Sequence, residues 1–166
     1  MASNKRREQI LAAAQVVFAD KGYHATGVSD IIAKAGIARG TFYLYFDGKR
    51  AIFDALLDRI FEDLLARIYP IIIPQSPDEA TVESQIRDNA MRLIQCLMED
   101  EDAVKILMAE AEGLDEGAQN RLMAFYGRLG EWLAESLDDG VSLGIIHACN
   151  TKVTAHALIG SLRGVL

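Results

Sequence analysis

The chain has 166 residues, 51% of them apolar, with 17 basic and 24 acidic side chains and a net charge of −7. That length can bury a core without disulfides or metals, and that apolar content excludes a disordered polymer. The overall acidity argues against a nucleic-acid partner only until it is divided. Residues 1–50 hold eight Lys and Arg against four acids, a positive excess of four, and the remainder holds nine against twenty, a negative excess of eleven. Such asymmetry suggests a nucleic-acid-facing module on an acidic body.

Apolar residues recur at helical spacing almost throughout, and there are three prolines, so the expected fold is all-α. Ser3 or Asn4 is expected to cap a first helix with Ile10, Leu11, Ala14, Val17 and Phe18 on one face, stopped at Gly22. Thr26 or Ser29 opens a second helix that Gly36 breaks. A third runs from about Arg39 to Tyr45, with Phe42 and Phe46 repeating at i, i+4 as core anchors. Asp47 stands where a cap belongs for a long helix over 49–69, which carries Ile52, Phe53, Leu56, Leu57, Ile60, Phe61, Leu64 and Leu65. Pro70 and the prolines at 74 and 77 mark a break. Further helices are expected over 78–98, 102–112, 116–138 and 151–166. The third of these places Leu122, Phe125, Tyr126, Leu129, Trp132, Leu133 and Leu137 on one side.

The segment from Thr26 to Phe46, TGVSDIIAKAGIARGTFYLYF, carries the most information. Two short helices joined by a tight turn at 35–37 match a helix-turn-helix, whose second helix enters the DNA major groove with its N-terminal residues at the base edges. Arg39, Gly40, Thr41, Tyr43 and Tyr45 lie between or beside the phenylalanine anchors.

Residues 5–57 resemble the DNA-binding region of the TetR/AcrR family of transcriptional regulators. The resemblance rests on IL-AAA-VF--KGY at 10–23, T-V-DI---AGIARGTFYLYF at 26–46 and GK-AIF-ALL at 48–57. It implies a helix-turn-helix domain over 1–48, a connecting helix over 49–69 and an effector-binding and dimerisation domain over 70–166. It also implies a homodimer that occupies a palindromic operator in double-stranded DNA and is released by a small hydrophobic or amphipathic effector.

By the same resemblance, base-edge contacts fall to Arg39 and Thr41, and Gly40 lets the backbone approach. Tyr43 and Tyr45 match positions that reach phosphates or thymine methyls, Lys49 matches a phosphate contact, and Thr26 and Ser29 lie where hydroxyls and backbone N–H groups favour phosphate. The chain departs from the family at Asp47-Gly48, where a basic residue and a serine or asparagine are common. Lys5, Arg6 and Arg7 form a basic flank that gains from counterion release.

In the acidic body, an effector pocket is expected among Arg92, Cys96, Met108, Tyr126, Trp132 and His156, with mostly apolar walls. The small residues Ala157, Gly160, Ser161 and Gly164 permit close helix approach and resemble the first of two helices that build the family dimer. A second such helix is usual in the family and none remains here, so the expectation is either a chain that continues past Leu166 or a dimer formed differently. No catalytic residues, cofactor or metal are expected. Cys96 and Cys149 lack CxxC spacing, and although His24, His147 and His156 invite a metal reading with Cys149, His147 and Cys149 find no third ligand at metal spacing nearby. The chain shows no signal peptide, and its longest apolar run, Ile71 to Ile73, cannot span a bilayer, so a cytoplasmic protein is expected. Two other classes compete: an enzyme built on the acidic body, for which no nucleophile–base pair or phosphate loop is present, and a ligand carrier that has lost DNA binding.

Overall fold

The computed structural model describes residues 2–72, 79–110, 116–144 and 146–163. Among these residues there is no strand. The helices are α1 (Ala2–Ala25), α2 (Val28–Ala35), α3 (Arg39–Tyr43), α4 (Lys49–Ala66), α5 (Glu79–Glu99), α6 (Glu101–Glu110), α7 (Glu116–Ser142) and α8 (Thr151–Arg163). No described helix is long and apolar enough to cross a membrane. The chain divides into two compact units, Met1–Glu62 with Leu97–Ala118, and Asp63–Cys96 with Gln119–Leu166.

In the first unit α1 buries Ile10, Leu11, Ala14, Val17 and Phe18, the face its periodicity predicts, and packs against α2 and α6. Gly22 breaks the helical path at φ 74, ψ 165, a region open to glycine without a Cβ clash. Ser3 and Asn4, expected as caps, lie inside the first turn instead. Phe18, Tyr23 and Phe53 then close the seam between α1 and α4. Ring centroids are 5.0 Å apart for Phe18–Phe53 and 4.7 Å for Tyr23–Phe53, so Tyr23 is a packing residue. On α4, Ile52, Phe53, Leu56, Leu57, Ile60 and Phe61 are buried. The carbonyl of Gly48 accepts the Ile52 N–H at 3.2 Å, so Gly48 takes the capping position expected of Asp47.

A polar line crosses the same core. Glu8 lies 3.6 Å from Arg59, Arg59 donates to Gln15 Oε1, and Gln15 Nε2 donates to Asp100 Oδ1 at 2.6 Å. Asp100 also accepts the Ala103 N–H at 3.0 Å, which caps α6. Gln15 is buried, so leaving either end of its amide unmatched would carry a desolvation cost.

The second unit is held differently. After α4 the chain runs extended past Pro70, clamped to α5 by two side-chain amides. Asn89 accepts the Tyr69 N–H at 3.0 Å and donates to the Tyr69 carbonyl at 2.8 Å. One turn earlier, Gln85 does the same for Ile72 at 2.7 and 2.8 Å. Each amide imitates a peptide group, so the strap is paired as if by a neighbouring strand. Asn150 caps α8 through its side-chain oxygen on the Val153 N–H, 3.2 Å. Helices α7 and α8 approach closely where a Cβ on Gly130 would stand 3.4 Å from Ile159 Cδ1. The apolar stripe of α7, from Leu122 through Trp132 to Leu137, is half-buried along its whole length.

The start of α2 is held by an acid. Gly27 is its cap, and the Gly27 N–H bonds Asp30 Oδ2 at 2.8 Å while Lys21 Nζ stands 3.0 Å from Asp30 Oδ1. The backbone hydrogen bond from Gly27, aided by Lys21, holds the Asp30 carboxyl below its ordinary value of 3.8. Because folding lowers this pKa, the unfolded chain binds the proton first as acid is added. The stabilisation is whole above 3.8 and is lost as pH falls through the lower folded value. Asp30→Asn should therefore lower stability by a constant amount above about pH 5, with the gap to wild type closing at more acid pH. Urea melts across that range check it, and a gap unchanged at about pH 2 would exclude the assignment.

Candidate nucleic-acid interface

A five-residue helix cannot nucleate itself in water, so α3 depends on what anchors it. Phe42 is fully buried and Phe46 nearly so, with ring centroids 5.9 Å apart, and the Arg7 guanidinium lies 5.3 Å from the Phe46 ring. Gly36 at φ 63 ends α2, its N–H on the Ala33 carbonyl and the Ile37 N–H on Ile32, both 3.3 Å. Gln9 of α1 donates to the Ala35 carbonyl at 2.9 Å, which ties the turn to the first helix. The α2–turn–α3 unit is thus held from beneath by α1 and from its far end by two rings.

The outer face of α3 follows from that anchoring. With Phe42 turned inward, Arg39, Gly40, Tyr43 and the next residue, Leu44, are exposed, while Thr41 and Tyr45 are half-buried at the flanks. The Arg39 guanidinium lies 5.8 Å from the centre of the Tyr43 ring, one turn along, which braces both side chains. A Cβ added at Gly40 would meet nothing within 4 Å, and its φ is not in the positive range. Nothing inside the fold calls for glycine there. Ser29, exposed at the start of α2, shares an open groove with Val28, Ile32, Ile37 and Arg39.

Two expected contacts are placed differently. Thr26 is 2% exposed, and its hydroxyl donates to the Gly22 carbonyl at 2.7 Å. It satisfies the end of α1 rather than facing outward, because Gly22 leaves a helix carbonyl there in need of a donor. Lys49 is half-buried, its ammonium donated to the carbonyls of Tyr23 at 2.8 Å and His24 at 3.3 Å and lying 4.5 Å from the Tyr23 ring centre. Its charge sits at the interface edge, but its protons are engaged within the unit. Leu44, 81% exposed, is the residue that sequence reasoning missed. A leucine beside two phenylalanine anchors reads as core, and only the burial of Phe42 fixes it on the opposite face.

The residues expected to line an effector pocket lie on several helices of the body. Arg92 stacks 4.6 Å from the Tyr69 ring centre and donates to Asn89 Oδ1 at 3.1 Å. Cys96, Tyr126 and Trp132 are half-buried, and His156 is exposed with Nδ1 2.7 Å from the Lys152 carbonyl of its own helix. The side chain of Met108 lies outside the described residues. On α8, Ala157 and Gly160 are exposed, and a Cβ at Gly160 would meet nothing within 4 Å. Gly164 and the side chain of Ser161 lie outside the described residues. Among the described residues no three His, Cys, Asp or Glu side chains gather as a metal site.

Residues 10–56 match the family described as bacterial regulatory proteins, tetR family. The chain is 44% identical over 61 residues to the uncharacterized HTH-type transcriptional regulator YvdT of Bacillus subtilis, a match covering 37% of this chain and 31% of that one. It is 28% identical over 160 residues to YdgC, another uncharacterized HTH-type regulator of the same organism, covering 94% of this chain and 76% of that one. The chain thus spans less than a third of the first relative and about three quarters of the second. The crystal structure of the transcriptional regulator FadR from Bacillus subtilis, in complex with stearoyl-CoA, shares the fold, with a TM-score of 0.70 at 22% identity over 95% of this chain and 83% of that one. The α2–turn–α3 unit thus lies inside the segment that matches the tetR family of bacterial regulatory proteins, and the all-helical fold is shared with a transcriptional regulator of known structure.

Proposed function

We propose that the protein is a homodimeric repressor that occupies a palindromic operator through α3 and is released by a small amphipathic effector. The observation that carries this reading is Gly40. It stands on the exposed face of α3 between Arg39 and Tyr43, where no internal contact or backbone angle requires glycine. Glycine in a helix is costly, so its use there suits a surface that something external must approach closely. The positive excess of residues 1–50 suits the same partner. Repression is the simpler outcome, since occupying an operator blocks transcription without any further contact.

Gly40→Ala separates fold from function. It should raise folding stability by about 0.5–1 kcal/mol while weakening operator binding. Arg39→Ala should leave stability nearly unchanged and lower affinity by about 1–3 kcal/mol, relaxing preference at particular base pairs. Thermal melts and titrations on a duplex selected from a random pool would check both. Undiminished binding by both variants would remove α3 from the reading role.

Exposed Val153, Ala157, Leu158 and Gly160 on α8 support a helix-to-helix dimer seam. An isologous dimer with reading helices about 34–36 Å apart would match successive major grooves. Gly160→Leu should dissociate it, because the added side chain separates two close backbones. Sedimentation of that variant as an intact dimer would rule out the seam.

The half-buried stripe of α7 supports an apolar effector site in the body. The stearoyl-CoA bound by FadR makes that molecule a reasonable first probe. A ligand releases DNA only by binding the DNA-incompetent state more tightly, and by linkage the operator must weaken the ligand equally. A coupling of about 1–3 kcal/mol would change affinity roughly 5- to 150-fold. Titrating stearoyl-CoA with and without operator measures it, and equal affinities would exclude release by this ligand.

A further inference from the structure

We infer that Leu44 reads a thymine methyl group in each operator half-site, which makes it a specificity-determining residue beside Arg39. The inference rests on operator binding through α3. A single exposed leucine is ordinary on a protein surface, and what distinguishes this one is its register. Leu44 lies four residues beyond Gly40, and its φ of −72 and ψ of −20 continue the helical path past the end of α3. It therefore stands one turn along the same face, about 6 Å further down the axis. A partner that fits flush against the bare backbone at Gly40 cannot avoid the side chain at Leu44.

The chemistry of that face narrows the contact. Arg39 and Tyr43 are braced on each other and offer polar groups, whereas Leu44 offers only aliphatic carbon and is 81% exposed. An aliphatic side chain can neither donate to nor accept from a base edge or a phosphate. The apolar group that the major groove presents is the C5-methyl of thymine. Burial of Leu44 against that methyl removes exposed carbon on both sides, and it discriminates thymine from cytosine, which lacks the group.

Deoxyuridine provides the test, since it keeps the thymine hydrogen-bonding edge and lacks only the methyl. A preferred duplex is selected with the full chain, and each thymine is replaced in turn. Wild type should bind about fourfold more weakly when the methyl under Leu44 is removed from one half-site, and roughly fifteenfold when it is removed from both. Leu44→Ala should melt at the wild-type temperature, bind the thymine duplex more weakly, and no longer distinguish thymine from uracil at that position. A wild-type protein indifferent to every replacement would overturn the proposal while leaving operator binding intact. So would a Leu44→Ala variant that keeps the same methyl sensitivity, which would reassign the contact to Tyr43. Selection that returns no preferred sequence would defeat the operator reading and this inference together.

Discussion

Burial of Phe42 is the constraint on which the candidate recognition surface depends. A helix of five residues makes too few internal hydrogen bonds to offset the cost of its first turn, so its direction and exposed face are set by what it packs on. With Phe42 and Phe46 fixed beneath, Arg39, Gly40, Tyr43 and Leu44 have no choice but to face outward. The side chains that would meet DNA are thus oriented by residues that would never touch it. The rest of the first unit serves the same end: Gln9 holds the turn, Arg7 covers Phe46, and the rings of Phe18, Tyr23 and Phe53 keep α1 and α4 together.

Charge in this unit is partly engaged by partners within it. Lys21 is paired with Asp30, and Lys49 is given to two carbonyls at the end of α1. Those cations still contribute to the field around the unit, which falls off over about 10 Å at moderate salt. They do so from fixed positions, with their entropy already lost to folding. Arg39, braced on Tyr43, is a pre-oriented cation of the same sort, and ordering it on a partner costs less than ordering a free side chain.

Much of this was legible in the sequence. The buried face of α1, the break at Gly22, the stop at Gly36 and the anchors at Phe42 and Phe46 all follow from periodicity and from the conformations only glycine takes easily. The less legible placements share a cause, which is that a polar side chain near a helix end has several partners to choose from. Thr26 could have faced phosphate, yet Gly22 leaves a carbonyl within its reach. Asp47 could have capped α4, yet Gly48 occupies that place. Leu44 was hidden for the opposite reason, since an apolar residue announces nothing about which side of a short helix it takes. The amides of Gln85 and Asn89 gave no signal at all, because their partners are backbone groups at 69 and 72, which no side-chain pattern reveals.

The three glycines at 22, 36 and 40 are not equivalent. Two hold positive φ and cannot be replaced without strain, and the third is conformationally ordinary. The face proposed to read DNA can therefore be obstructed by substitution at 40 without disturbing the scaffold. In a two-headed repressor of the kind proposed, such a subunit would still find partners and occupy half of each mixed pair. Genetics would register it as trans-dominant: one altered allele would derepress a cell that also carries an intact copy, whereas substitutions at 22 or 36 would act through strain in the fold and lower the amount of subunit that can pair.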